Sequence, residues 1–161
     1  MPANFTIGET LNTLKAIFEK HKHERICVIG TMCVGKTTII SRLPEYNCID
    51  MDDEFWPQMP KEHIEILSQK PITEEIIGTI CKLISKKITV KVGCPLFGIS
   101  ILNCEAVVYL DISLNLLKKH CKSRGDTALA DALFVKNVIE QDWNSHKSKG
   151  GKTFYYLTIT E

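Results

Sequence analysis

The chain has 161 residues, 44% of them hydrophobic and 24% charged, with a formal net charge of +1. That length suits one domain of ordinary globular composition. The near-zero charge gives no bulk attraction to nucleic acid or to an anionic membrane, and no apolar run approaches the roughly 18 residues needed to span a bilayer.

Taken in order, Met1 to Asn12 is polar and lacks an apolar centre, so no secretory leader is expected. Thr6 to Lys22 reads as a helix. Thr6 and Glu9 have capping-box spacing, and Leu11, Leu14, Ile17 and Phe18 form an apolar face. His21 to Arg25 is a polar junction that suits a solvated helix end. Arg25 to Gly30 is the first strand. A helix continues to about Leu43, where Pro44 ends it.

Tyr46 to Asp50 reads as a second strand, closing in the acidic run Asp50, Asp52, Asp53 and Glu54. Phe55 to Met59 is turn-like. Lys61 to Gln69 and Thr73 to Lys86 read as helices, the latter with Ile76, Ile77, Ile80, Leu83 and Ile84 at helical spacing. Ile88 to Val92 is expected as the third strand, ending at Gly93-Cys94-Pro95, and Leu96 to Asn103 is ambiguous, a short helix being one reading. Ala106 to Asp111 is a buried strand, and Ile112 to Ser123 is helical. Thr127 to Trp143 is a long helix, Asn144 to Lys152 a basic Gly-rich loop, and Thr153 to Thr160 a final strand. Alternating strands and helices predict an α/β fold with a parallel sheet covered on both faces, in one domain over 1–161. Ligands in such sheets bind beyond the carboxyl ends of the strands.

Seven cysteines, odd in number, scattered and without any C-x-x-C, argue against a disulfide framework or a zinc site and favour a reducing cytoplasm. Cys33 is either a tolerated small residue or a thiol activated by a helix N-terminus.

The most informative stretch is Gly30-Thr31-Met32-Cys33-Val34-Gly35-Lys36-Thr37-Thr38, which fits G-x-x-x-x-G-K-[ST] between a strand and a helix. Gly30 and Gly35 let the backbone turn where a Cβ would clash. Consecutive N–H groups then face a phosphate chain, aided by the helix dipole. Lys36 supplies charge at the terminal phosphates, and the Thr37 hydroxyl is placed to ligate Mg²⁺. ATP and Mg²⁺ are therefore the expected cofactors.

Asp50, Asp52 and Asp53 lie 14 to 17 residues past Lys36. Phosphoryl transfer needs an acidic group near the metal and another to orient the attacking hydroxyl. In an extended strand Asp50 and Asp52 would point the same way. The alternative is an acidic turn capping the next helix. Phe55, Trp56 and Pro57 suit an acceptor pocket or the core equally.

These features resemble the small P-loop kinases: shikimate kinase, gluconate kinase and the nucleoside-monophosphate kinases. The resemblance rests on the phosphate loop, the D-x-D at Asp50 and Asp52, and Val107 to Ser113 followed by a helix. It spans roughly Ile26 to Arg124 and is weaker beyond. It implies a three-layer P-loop NTPase fold with a five-stranded parallel sheet in the order 2-3-1-4-5. It also implies that Asp50 lies near Mg²⁺ and that Asp52 binds the acceptor hydroxyl. In that family the helix after strand four carries basic residues that meet ATP. Arg124 takes one such position and would stabilise the transferring phosphoryl group. It also reads as a helix C-terminal cation. His120 reads as a surface or packing residue.

The sequence departs from the family in three ways. Gly93-Cys94-Pro95-Leu96 lacks the arginine of the adenylate kinase turn. The lid region holds only Arg124 beyond lysines. Relatives continue past the last strand, and the helix over 6–22 is expected to cover that face. Three functions remain open: an ATP-dependent kinase for a small-molecule or nucleotide acceptor, a 5′-hydroxyl polynucleotide kinase, and a nucleotide-binding module without turnover. The second would use Lys147, Lys149 and Lys152 with Trp143 or Trp56 as a stacking platform. A GTPase is disfavoured, since no D-x-x-G follows the loop and no N-K-x-D is present.

Overall fold

The computed structural model describes residues 3–160. Met1, Pro2 and Glu161, the ends of the expected 1–161 unit, lie outside the described residues. The elements are β1 (Ala3–Phe5), α1 (Ile7–Lys20), β2 (Ile26–Ile29), α2 (Lys36–Ser41), β3 (Ile49–Asp50), α3 (Met51–Phe55), α4 (Lys61–Leu67), α5 (Glu74–Lys87), β4 (Leu96–Gly98), β5 (Ala106–Ile112), α6 (Leu114–Cys121), α7 (Ala128–Lys149) and β6 (Thr153–Ile159). Short 3-10 turns occupy Pro44–Tyr46 and Trp56–Gln58.

All paired strands run parallel, in the order β1-β6-β5-β2-β4-β3. The five strands from β2 onward take the expected 2-3-1-4-5 arrangement. β1 adds a sixth strand beside β6, with Ala3 opposite Leu157 and Phe5 opposite Ile159.

The period-two alternation of the strands splits the core in two. Ile26, Val28, Ala106, Val108, Leu110 and Ile112 face one cluster with Leu14, Ile17 and Phe18 of α1. Cys27, Ile29, Val107 and Tyr109 face the other, with Ile77, Ile80 and Ile84 of α5 and Val135, Ile139 and Trp143 of α7. α1 is held at its start by Thr6, whose hydroxyl accepts from the Glu9 amide at 3.3 Å, and its Phe18 ring meets Phe97 and Tyr46 edge-on. Fully burying such a side chain contributes about 1.5–3 kcal/mol.

Several boundaries differ from the sequence reading. Ile88 to Val92 is not a strand, and the third strand is Leu96–Gly98, inside the ambiguous stretch from Leu96 to Asn103. β4 lies between β2 and β3 with all three residues buried, so no polar alternation marks it. Gly93-Cys94-Pro95 consequently precedes the strand. It sits with Lys22 and Ile26 around a separate 210 Å³ cavity near the start of β2. Read as the end of the third strand, this turn would stand at the ligand-binding rim; placed before the strand, it does not line the cavity of the phosphate loop. α7 continues through most of Asn144 to Lys152, anchored by buried Trp143, and stops at Gly150 and Gly151, whose φ angles are 72° and 82°. The second strand shrinks to Ile49–Asp50, because α3 starts at Met51.

One glycine fixes how closely α3 approaches the sheet. A Cβ on Gly98 would lie 2.8 Å from the Met51 Cβ and 2.5 Å from its Sδ. Gly98→Ala is therefore expected to destabilise by about 1–3 kcal/mol through overpacking. Gly78→Ala, in open space on α5, should instead stabilise by about 0.4–1 kcal/mol. Urea unfolding midpoints of the two variants check the contrast.

Candidate active site

The loop after β2 owes its course to two different glycine properties. A Cβ on Gly30 would stand 3.0 Å from the Leu110 carbonyl oxygen and 3.0 Å from Val34 Cγ1, so this position is a close approach. Gly35, at φ 105°, is a left-handed turn into α2. Cys33 also adopts φ 66°, uncommon for a side-chain-bearing residue. α2 is only six residues long, so the loop amides outweigh its dipole.

The loop is clamped from several sides. Gly30 N–H donates to the Gly98 carbonyl at 3.1 Å. The Thr31 hydroxyl donates to the Ala132 carbonyl on α7. His120 Nδ1 meets the Cys33 carbonyl at 2.7 Å. Its packing role is thereby explained, and it ties α6 to the loop. Lys36 Nζ folds back on the Gly30 carbonyl and, at 3.1 Å, on that of Thr31.

Asp50 is the N-cap of α3, its Oδ1 accepting from the Asp52 amide at 3.0 Å. The cap and the candidate metal site are thus the same carboxylate. The period-two argument for Asp50 and Asp52 is overturned, because Asp52 lies in the first helical turn rather than in a strand. Both nevertheless face the same space. Met51 is buried against the sheet at Gly98, while Asp52 stays exposed on α3.

That space is a cavity of about 350 Å³. Met32, Cys33, Val34, Gly35, Lys36, Thr37 and Thr38 line one side, with Asp50 and Asp52 across from them. Arg124 lines it from the α6–α7 connection and Lys70 from the α4–α5 connection. Trp56 and Phe55 contribute aromatic wall, and Leu67, Ile72, Ile77, Ile80, Ile84, Ile99 and Val135 contribute aliphatic wall. Gly30 and Thr31 do not line it. The first is packed under Leu110, and the second turns its hydroxyl to α7.

The electrostatics match a site awaiting opposite charges. Burial pulls the Lys36 ammonium down to about 8, against the opposing pull of Asp52 and Asp50. Burial raises the Asp50 carboxyl above its usual range, and Asp52 and Asp53 add to this, against the Asp52 amide and Lys36. The donor set suits a hard cation held partly by water and phosphate oxygens: one hydroxyl, on Thr37, and one carboxylate, on Asp50. Among the described residues no cluster of three or more His, Cys, Asp or Glu could hold a metal by protein ligands alone.

Sequence reasoning missed Asp131. It is 2% exposed on α7, accepts from the Ile72 amide at 2.8 Å and from the Thr127 hydroxyl at 3.1 Å, and so fastens the α4–α5 connection to the start of α7. Nothing in its spacing signals this. The stacking platform at Trp143 fails on burial: the ring is 5% exposed and packs against Tyr109, Phe154 and Tyr156. Lys147 lies over its face, and Lys152 donates to the Cys104 carbonyl at 2.6 Å. All seven cysteines are free, and among the described residues no helix is long and apolar enough to cross a membrane.

Comparisons with protein-family models and with curated proteins each returned no match. Solved structures do match. A shikimate kinase from Acinetobacter baumannii in complex with shikimate aligns at a TM-score of 0.56 and 14% identity, over 89% of this chain and 86% of that one. A gluconokinase from Sinorhizobium meliloti 1021 aligns at 0.51 and 16% identity, over 86% of this chain and 84% of that one. The fold is that of the small P-loop kinases. At these identities the likeness concerns the backbone, and the side chains around the cavity are this chain's own.

Because Lys36 carries its charge below about 8 and sheds it above, polyphosphate affinity of the free protein should fall as pH rises from about 7.5 to about 9. Titration with tripolyphosphate, followed by Trp56 fluorescence, measures this. In Lys36→Met the step should vanish.

Proposed function

We propose that the protein is an ATP-dependent phosphotransferase acting on a small-molecule acceptor, with residues 1–161 forming one catalytic domain. The observation that carries this reading is the convergence of Lys36, Thr37, Asp50, Asp52 and Arg124 on one cavity. A phosphate loop, a basic group on the far side and two carboxylates across from the loop are the parts that phosphoryl transfer requires.

In this reading the amides from Met32 to Thr38 hold the β- and γ-phosphates. Lys36 exchanges the Gly30 and Thr31 carbonyls for phosphate oxygens. That exchange restores its full charge, because the anion offsets the burial that depresses it. Thr37 and Asp50 would hold Mg²⁺, which neutralises charge on the β- and γ-phosphates when bound. Asp52 orients the acceptor hydroxyl and accepts its proton. The hydroxyl oxygen forms a bond to the γ-phosphorus, and the bond from that phosphorus to the bridging oxygen breaks, its electron pair leaving with ADP. Arg124 compensates charge on the equatorial oxygens.

A polynucleotide acceptor is the weaker reading. The Trp143 ring is buried, and Lys152 is engaged at the opposite end of β6 from its carboxyl terminus.

Lys36→Ala is expected to lower ADP release from ATP-Mg²⁺ on the order of 10²–10³-fold. Asp52→Asn should lower kcat on the order of 10²–10⁴-fold while nucleotide affinity stays close to wild type. Coupled ADP-release kinetics with circular dichroism of each variant checks both. Unchanged turnover in folded Lys36→Ala removes the mechanism. Nucleotide binding with no ADP release in the wild-type protein supports a module without turnover.

A further inference from the structure

The geometry points to the acceptor being an uncharged alcohol with an apolar body, aromatic or alicyclic, rather than a carboxylate, a phosphate ester or a polyol. This rests on the phosphotransferase reading above and narrows it to a substrate class.

The argument starts from how the cavity divides. Its phosphate side is polar. Beyond Asp52, the wall belongs to α4, α5 and the end of β4: Leu67, Ile72, Ile77, Ile80, Ile84 and Ile99, with Trp56 beside them. Five isoleucines and a leucine offer no hydrogen-bond donor through their side chains. The Ser68 hydroxyl, just past α4, gives its one hydrogen to the Ile64 carbonyl at 2.5 Å and is left as an acceptor alone. A polyol held here would leave hydroxyls without partners, which costs more than the pocket returns.

An anionic acceptor fares worse. Three cations line the cavity: Lys36, Lys70 and Arg124. Lys36 lies at the phosphate loop and is held by its carbonyls. Arg124 enters from the α6–α7 connection, and Lys70 is an exposed residue of the α4–α5 connection. Of the three, Lys70 adjoins the isoleucine wall, between Leu67 and Ile72, and it is an exposed residue at the rim of that wall. Asp50 and Asp52 repel an incoming anion, and a buried charge without a partner is strongly disfavoured.

Shape agrees with chemistry. The volume of about 350 Å³ lies at the small end of the roughly 300–1,000 Å³ typical of ligand pockets. It must also admit the terminal phosphoryl group, so a single ring bearing a hydroxymethyl group is the appropriate size. The wall is not loose. Asp131 fixes the Ile72 backbone from α7 at 2.8 Å, and α5 buries Ile77, Ile80 and Ile84 along the same stripe. The hydroxyl of such an alcohol would reach Asp52, on the polar side of the same cavity.

Matched pairs of probes test the inference: benzyl alcohol against 4-(hydroxymethyl)benzoate, and cyclohexylmethanol against its 4-carboxylate. Their binding is measured by ligand-observed NMR in the presence of a non-hydrolysable ATP analogue and Mg²⁺. Phosphomonoester formation from ATP is followed by ³¹P NMR. The neutral member of each pair is expected to bind at least about tenfold more tightly and to be the member phosphorylated. Ile80→Lys, which sets a cation on the wall, should close the gap between the members. Equal or tighter binding of the carboxylates to wild-type protein overturns the proposal. So does failure of both neutral alcohols to bind while the nucleotide analogue does. If the analogue itself fails to bind, the phosphotransferase reading falls. The same pairs on nucleotide-free protein still report the preference of the cavity.

Discussion

Two missing side-chain carbons set the geometry of this molecule. At Gly30 the loop main chain passes against the Leu110 carbonyl, and at Gly98 the end of β4 passes against Met51. These residues are joined by a hydrogen bond from the Gly30 amide to the Gly98 carbonyl. The first contact seats the phosphate loop between β5 and the helices behind it. The second brings α3, with its acidic residues, close to the sheet. A methyl group at either place would push one wall of the cavity away from the other. The spacing of the cavity walls is thus a matter of backbone proximity at these two glycines.

That proximity sets charges of opposite sign around one cavity. Lys36 is partly buried and turned toward its own loop carbonyls, while Asp50 is raised by burial and by its acidic neighbours. Each group is short of a partner of opposite charge, and the missing partners differ. The lysine calls for an anion, and the carboxylates call for a cation. In the proposed function a metal–polyphosphate complex would answer both.

The phosphate loop was legible because its requirements fall on consecutive residues, Gly30 to Thr38, and each has its own reason for being there. Of the two readings of the acidic run, the helix cap is the one the fold shows: α3 begins at once after Asp50 and uses it as its cap, so Asp50 and Asp52 are not strand neighbours. β4 escaped because Leu96-Phe97-Gly98 is too short to show a period and is buried on every side, while Ile88 to Val92 imitates a strand by β-branched composition alone. The extra length of α7 was hidden by a polar run whose helicity is sustained from inside, by Trp143. Asp131 was illegible in principle. Its partners are Thr127, four residues away, and Ile72, fifty-nine residues away, and only the fold introduces the latter. The isoleucines of α5 were read correctly as a helical face, but periodicity cannot tell a face that fills a core from one that borders a cavity.

β1 has a consequence for how the protein behaves in a crowded solution. Ala3–Phe5 covers Leu157 to Ile159, the carboxyl half of the long last strand, while the opposite border of the sheet is the two-residue β3. Neither border presents a long uninterrupted ladder of unpaired amides and carbonyls. Such ladders are the templates on which strands of neighbouring molecules add. The sheet therefore limits its own growth at both sides, and self-association by strand extension has little to start from.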